Sequence, residues 1–144
     1  MSREKLLSGY HFQVEWGSAR IGFTEISGLE VEVEQLEYRE GHWKDYFPIK
    51  IPGQRKDANI VLKRGVVQGD NELYEWFNTT KLLETERRDL TISLLDEEHS
   101  PRMVWKVKQA WPVKIKGPVL NALESTLAIE TLEIAHQGCT VEND

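Results

Sequence analysis

The chain has 144 residues, of which 40% are hydrophobic and 29% are charged, and its formal net charge at pH 7 is −6. These values predict a single soluble globular domain over residues 1–144, large enough to bury a hydrophobic core. They exclude a membrane-spanning protein, because no apolar run approaches the roughly 20 residues of a spanning helix. They also argue against duplex DNA as a ligand of the outer surface, because phosphate binding needs clustered cations.

The N-terminal residues and the single cysteine indicate where the chain is made. Residues 1–7 carry charges of both signs and no apolar segment, so they do not resemble a secretory signal peptide. Cys139 has no second cysteine with which to form a disulfide or a zinc site, as is typical of a reducing compartment. We therefore expect assembly in a bacterial or host cytoplasm, with no membrane insertion by this chain.

Alternating apolar and polar residues predict antiparallel β-strands along most of the chain. The first such segment contains Phe12, Val14 and Trp16, and the alternation resumes at Ile21 and Phe23 after a turn at a glycine. The N-terminal region is therefore predicted to be a β-hairpin.

The next segment combines regular alternation with a change of phase. Residues 30–34 alternate glutamate with valine, whereas the next apolar residues, Leu36 and Tyr38, occupy even positions. This change predicts a β-bulge near residues 34–35, or a strand that passes there from one packing surface to another. We expect Val31 and Val33 to face the core, so that the glutamates share the opposite, wet face. That face would be either a solvated sheet surface or the wall of a polar channel. The glutamates are Glu30, Glu32 and Glu34.

Residues 41–58 combine glycine and proline with aromatic and basic side chains. This composition predicts a long loop or an extended hairpin. Apolar and aromatic side chains on a loop are a poor fit to free solvent, so we expect this segment to contact another protein.

One helix is predicted at about residues 70–82, where Asp70 or Asn71 is a suitable N-cap. Its apolar positions follow the i, i+3, i+4, i+7 spacing of a core-facing stripe, and they are Leu73, Trp76, Phe77 and Thr80.

The remaining segments again have strand character. Residues 91–94 and 104–108 form a predicted hairpin around the polar turn 96–101, and two last strands are expected near 113–115 and 127–134. The predicted fold is mainly β, with seven or eight strands in two antiparallel sheets. These sheets pack as a sandwich or a partly open barrel, with the single helix at the side.

No residue pattern indicates catalysis, a metal site or a cofactor. The four histidines, His11, His42, His99 and His136, lie on separate predicted elements, and their spacing matches no zinc-ligand motif. Both phosphate-loop glycine patterns and the G-x-S-x-G nucleophile turn are missing from the sequence. We therefore expect a protein that is not an enzyme and binds no cofactor.

Several sequence blocks follow one another from roughly residue 10 to residue 138. The blocks are GFTEISGL (22–29), EYREG (37–41), PG (52–53) leading to VLKRG (61–65), AWPVKIKGPVLNA (110–122) and AIETLEIAHQG (128–138). Together, and in this order, they resemble the family of contractile-tail tube proteins. This family builds the inner tube of phage tails and of related injection particles. The resemblance implies hexameric rings, stacked into a hollow tube, with strands of neighbouring subunits joined into one continuous inner barrel.

The resemblance also implies partners. They are further copies of the chain, a sheath protein, baseplate hub and spike proteins and a tube terminator, with DNA or effector proteins passing through the lumen without sequence-specific binding. Candidate lumen-facing residues are Glu30, Glu32 and Glu34. Candidate inter-subunit contacts are Arg39, Glu40, Trp43, Tyr46, Phe47, Lys50, Arg55 and Lys56.

Three alternatives stay open from the sequence. The blocks are shared by virion tubes and injection-particle tubes, so they do not distinguish a phage from an injection system. A second possibility is a ring-forming tube or carrier protein of a secretion system. A third, from another class, is a small carbohydrate-binding β-sandwich in which Trp43 and Tyr46 stack on sugars.

Overall fold

The computed structural model describes residues 5–17 and 19–143, and in these residues the chain forms ten strands and one helix. The elements are β1 Phe12–Trp16, β2 Ala19–Ile21, β3 Glu25–Ser27, β4 Val31–Tyr38, β5 Ile49–Asp57, β6 Ile60–Gly65, α1 Glu72–Phe77, β7 Arg88–Leu95, β8 Pro101–Lys116, β9 Ile129–Ala135 and β10 Cys139–Asn143. Every strand pair is antiparallel. The predicted mainly β fold with one helix is confirmed, and the described strands do not close into a barrel.

The long strand β8 joins two parts of the sheet. Its first part pairs with β7 on one side and with β10 on the other, and its second part, from Trp111 onward, pairs with β9. The hydrogen-bonded order is β2-β1-β7-β8-β9-β6-β3, and β4 and β5 form a separate two-stranded ribbon. The two strands predicted at 104–108 and 113–115 are therefore parts of one strand.

A bend near the middle of β8 lets one strand serve both parts of the sheet. Gln109 has a positive φ of 54°, and its backbone N–H donates a 3.0 Å hydrogen bond to the Asp89 carboxylate instead of to a strand partner. The pairing with β9 shifts register between Pro112 and Lys114. Proline has no N–H to give to a ladder, and such an irregularity is where a sheet tolerates it.

The hydrophobic core lies between the strands of both parts and the helix. It is made of Val14, Trp16, Ile21, Ile60, Leu62, Leu73, Trp76, Leu90, Ile92, Val107, Ala110, Leu132 and Ile134. The helical residues Leu73 and Trp76 are fully buried, and the Trp76 ring packs edge-on against Trp16 with centroids 5.1 Å apart.

The predicted helix is wrong at its C-terminal end, because α1 ends at Phe77 and Thr80 lies outside it. Beyond Phe77 the side chain of Thr79 bonds the backbone in a non-helical arrangement. Thr79 Oγ1 donates to the carbonyl of Trp76 at 2.7 Å and accepts from the N–H of Glu86 at 3.2 Å. Short hydroxyl side chains compete with helical hydrogen bonds in this way.

Candidate functional site

The β4–β5 hairpin, which we define as residues 31–57 with the connecting residues 39–48, exposes a large apolar surface. All of β4 and most of β5 are solvent-exposed. Contiguous exposed apolar surface on a protein of this size marks a contact with another molecule. Exposed apolar side chains of the hairpin are Val31, Val33, Leu36, Tyr38, Tyr46, Phe47, Ile49 and Ile51.

The connecting residues 39–48 are held in shape by their own side chains. Arg39 donates to the carbonyl of Asp45 at 3.0 Å and to that of Trp43 at 2.9 Å. Glu40 accepts from Tyr38 Oη at 2.9 Å and from Trp43 Nε1 at 2.8 Å. Arg39, Glu40 and Trp43 therefore have a structural use within the chain that the sequence did not reveal.

Two aromatic side chains of the same connection have no such use. Tyr46 is 89% exposed and Phe47 is 83% exposed, and both lie at the far end of the hairpin from the core. The Arg39 guanidinium lies 5.9 Å from the Tyr46 ring centroid, which orients the ring but leaves it in solvent.

The three basic residues predicted on β5 face different surroundings. Lys50 is paired across the ribbon with Glu37, and Lys56 with Glu32. Arg55 instead folds back toward the body of the protein and donates to the Cys139 carbonyl at 3.3 Å. Only Lys50 and Lys56 thus stay wholly within the exposed ribbon.

The predicted irregularity near residues 34–35 is present, but the predicted burial of the valines is wrong. The ribbon shifts register between Val33 and Gln35, and the additional residue belongs to β5. Val31 is 58% exposed and Val33 is 53% exposed, because the ribbon stands off the core and both of its faces are accessible. Glu30, Glu32 and Glu34 are exposed. The valines on the opposite face of the ribbon are exposed as well, so the two faces do not differ as predicted.

A second feature, which the sequence analysis missed, is a buried cluster of charges. Arg64 is 5% exposed and Glu130 is 4% exposed, and Arg64 Nε donates to Glu130 Oε1 at 2.7 Å. The two terminal nitrogens of Arg64 donate to the two carboxylate oxygens of Asp70 at 3.2 and 3.3 Å. The cluster ties β6 and β9 to the segment that leads into α1.

The pKa directions in this cluster agree with its geometry. The pKa of Asp70 is lowered, first by the hydrogen bond from the Glu72 N–H and then by Arg64. The pKa of Arg64 is raised by its two carboxylate partners against the opposing effect of burial. Asp70 also bonds the Glu72 N–H at 3.0 Å, whereas Asn71, at the N-cap position, makes no side-chain cap.

Several strand edges remain available for pairing. In the described part of the chain β2, β3 and β10 each pair with one neighbour, and β8 beyond Ala110 pairs only with β9. Unpaired edges present rows of backbone N–H and C=O groups that another chain can bond.

Two features are missing from the described residues: a cluster of metal-ligating side chains and a membrane-spanning helix. Across 5–17 and 19–143, no three His, Cys, Asp or Glu side chains come together as a metal site would require. No helix in the same ranges has the length and apolar character to cross a membrane. Burial, followed by the charge of Asp57, raises the pKa of the Cys139 thiol.

Free strand edges together with a protruding apolar hairpin are typical of a protein that contacts other chains. Comparison with known families specifies which one: residues 8–140 match the model of the T4-like virus tail tube protein gp19. The chain belongs to this family of structural tube proteins. Among curated proteins, no sequence matches the chain at a significant level.

Solved structures agree with the family match. The chain is 30% identical to a chain in the cryo-EM structure of the anti-feeding prophage cap (AFP tube terminating cap), with a TM-score of 0.91, covering 100% of this chain and 95% of that one. It is also 30% identical to a chain in the sheath-tube complex of an extracellular contractile injection system, PVC, in the extended state. There the TM-score is 0.89, and the match covers 98% of this chain and 94% of that one.

A more distant likeness concerns the secretion-system alternative. Hcp1 from Flavobacterium johnsoniae matches at 15% identity with a TM-score of 0.58, covering 94% of this chain and 97% of that one. At this identity the likeness shows a common fold only.

Proposed function

We propose that this chain is the inner-tube subunit of a contractile injection system or phage tail, and that it assembles into hexameric rings stacked into a hollow tube. The observation that carries the proposal is the β4–β5 hairpin, whose apolar side chains are largely exposed to solvent in the single chain. In a ring, a head-to-tail contact closes on itself, and the same type of contact between rings extends a filament.

Two kinds of contact would build the assembly. Free strand edges of β3 and of β8 beyond Ala110 pair between neighbouring copies, which continues the sheet as an inner wall and satisfies the exposed backbone groups. The β4–β5 hairpin reaches a neighbouring subunit through Tyr46 and Phe47, with Lys50 and Lys56 at its rim. Arg39, Glu40 and Trp43 hold the connecting residues in the contacting shape.

The proposed partners follow from the similar structures. They are a sheath, a baseplate and a tube terminator, because chains like this one occur in a PVC sheath-tube complex, an AFP baseplate and terminating caps. Lumen cargo is DNA or effector protein, passed without sequence-specific binding. Assembly takes place in the cytoplasm of the producing cell.

Microscopy of the purified protein tests this function. We expect negative-stain images to show rings or tubes with six-fold end views, and sedimentation to show mass that increases with protein concentration. A baseplate-like nucleator is included in a parallel sample, because a tube subunit without a template can stay monomeric. Monomer alone across a wide concentration range, with the nucleator present, would contradict the proposal.

Within the tube we assign Glu30, Glu32 and Glu34 to the lumen. All three are exposed, and Glu32 and Glu34 share one face of β4, where alternate residues point the same way; Glu30 directly precedes the strand. Repeated around a ring, the three carboxylates form an acidic band that repels phosphate. Their mutual repulsion is screened over about 8 Å at physiological salt.

Changing all three glutamates to lysine tests the lumen assignment. We expect the triple variant to assemble tubes of normal length but to deliver cargo at least about tenfold less efficiently, because a basic wall retains anionic cargo. The charge-matched control changes the exposed Glu97, Glu98 and Glu124 to lysine, and it should deliver normally. Triple-variant tubes that deliver cargo but fail to recruit sheath would place the glutamates on the exterior.

A further inference from the structure

The second part of the sheet consists of four strands whose two outer edges are free. In the described chain these strands follow the order β8-β9-β6-β3, and β8 contributes the part from Trp111 onward. Every pair is antiparallel, so the strands alternate in direction and β3 runs opposite to β8. Rotation about a ring axis preserves the direction of each strand along that axis. The β3 edge of one copy therefore meets the β8 edge of the next copy as another antiparallel pair.

The side chains that point away from the core form rows across these four strands. Residues directly opposite each other on neighbouring strands point to the same side of a sheet. Leu62 on β6 and Leu132 on β9 are buried, so the residues on either side of them in each strand belong to the other face. The two rows on that face, written from β8 to β3, are Lys116-Thr131-Lys63-Glu25 and Lys114-Glu133-Val61-Ser27.

Opposite charges lie at the two ends of these rows. Lys114 and Lys116 are exposed at the β8 edge, and neither forms an ion pair with another residue of the ranges 5–17 and 19–143. Glu25 lies at the β3 edge. Its carboxylate is 3.2 Å from Lys63 Nζ on the neighbouring strand β6, and 57% of its side chain stays exposed. One edge of the sheet is therefore basic, and the opposite edge is acidic on the same face.

We propose that Glu25 on β3 of one copy pairs with Lys114 and Lys116 on β8 of the next copy, a contact that we call the β3–β8 seam. This inference rests on the proposed function, because it specifies how neighbouring copies join within a ring. Closing a sheet into a barrel staggers its strands, and a stagger of two residues keeps a side chain on the same face. Two lysines spaced two residues apart thus offer Glu25 a partner in either register.

The seam also selects a ring over a dimer. A two-fold contact would join β8 to β8 or β3 to β3, and it would bring together the lysines in the first case and the two copies of Glu25 in the second. Like charges directly opposite each other destabilise a strand pair. Joining β3 to β8 instead brings unlike charges together, and this head-to-tail contact is the type that closes into a ring. The charges therefore act against the wrong pairing as well as for the right one.

Two charge-reversed variants test the seam. One is Glu25→Lys, and the other combines Lys114→Glu with Lys116→Glu. Either variant alone has like charges at every seam, so the critical concentration for tube growth should rise at least about tenfold. In an equal mixture the lysine of one variant meets the glutamates of the other, and growth should return to within about threefold of the wild type. A hexameric ring closes when the variants alternate, because it holds an even number of copies.

Lys63→Glu is the matched control. It creates a like-charge contact with Glu25 inside the chain, as Glu25→Lys does with Lys63, but it leaves Glu25 available to the next copy. It should assemble within about threefold of the wild type. Circular dichroism of the monomers verifies folding. If Glu25→Lys does not fold, Glu25→Gln removes the charge without reversing it and should raise the critical concentration about threefold.

Salt gives an independent readout of the same contact. The advantage of the mixture over the single variants should shrink in about 1 M salt, where the Debye length is about 3 Å. Variants that each assemble like the wild type, or a mixture that grows no better than its components, would overturn the seam while wild-type tubes still support the proposed function. Wild-type protein that stays monomeric with a nucleator present would contradict the proposed function, and the seam with it.

Discussion

The double variant Tyr46→Ser, Phe47→Ser is expected to remain a folded monomer and to lose assembly. Each aromatic side chain is almost fully exposed at the end of the β4–β5 hairpin, so neither contributes to the core of the single chain. As central contacts between subunits, each would cost about 2 kcal/mol when truncated, which together raises the critical concentration about a thousandfold. Sedimentation and negative-stain microscopy measure the loss, and circular dichroism verifies the fold.

A matched control is offered by the two residues that directly precede Tyr46 and Phe47 in the same connection. Lys44→Ser, Asp45→Ser changes two exposed side chains of the connection, leaves the net charge unchanged and keeps the Asp45 carbonyl that accepts from Arg39. This control should assemble within about threefold of the wild type. Normal assembly of the Tyr46→Ser, Phe47→Ser variant would show that the connection 39–48 is not part of the subunit interface. Trp43 is left intact, because its ring packs on Tyr38 with centroids 5.8 Å apart.

The second large effect concerns stability rather than assembly. Glu130→Ala is expected to lower the free energy of unfolding by about 3 to 5 kcal/mol, because it leaves the Arg64 guanidinium buried without one of its two carboxylate partners. Urea denaturation followed by tryptophan fluorescence measures the change. The control is Glu133→Ala, three residues along β9, whose partially exposed carboxylate accepts a hydrogen bond from Asn59. It should cost less than about 1 kcal/mol.

Acid titration adds a readout specific to the cluster. The pKa of Asp70 is lowered in the folded state, so its contribution to stability is fully present above its unfolded pKa of about 3.9 and is lost as the pH falls through the lower folded value. In Asp70→Asn the free energy of unfolding should therefore depend less steeply on pH in this acid range. Two results would show that the cluster does not hold β6 and β9 to α1. One is an Asp70→Asn protein whose stability depends on acid pH as in the wild type, and the other is a Glu130→Ala protein as stable as the wild type.

Sequence alternation predicted the strands that contribute to the core. Ile60 and Leu62 on β6, and Leu132 and Ile134 on β9, occupy the even positions that the pattern assigns to one face, and all are buried. The same period places Arg64 and Glu130 on that buried face, so the charged cluster was implicit in the pattern. Their pairing was not, because it joins residues 66 positions apart and depends on the register of β6 against β9.

The β4–β5 hairpin shows what an alternating sequence pattern cannot predict. A period of two identifies two faces of a strand, but it does not say whether either face is covered within the same chain. Val31 and Val33 looked like core residues because a single domain normally buries such a face, yet this ribbon pairs only with itself. In the proposed tube another copy covers it, and that information is not local to the sequence.

The sixteen-residue strand β8 has a mechanical consequence. At about 3.3 Å per residue its contour length is roughly 50 Å, bend included, and it bonds to β7, β9 and β10 along that length. Hydrogen bonds of an antiparallel ladder run perpendicular to the strands, so a pull along β8 loads many of them together in shear. Tension on one part of the sheet therefore passes to the other along a continuous covalent backbone. In a filament whose axis ran along β8, this strand would resist stretching without any additional cross-link.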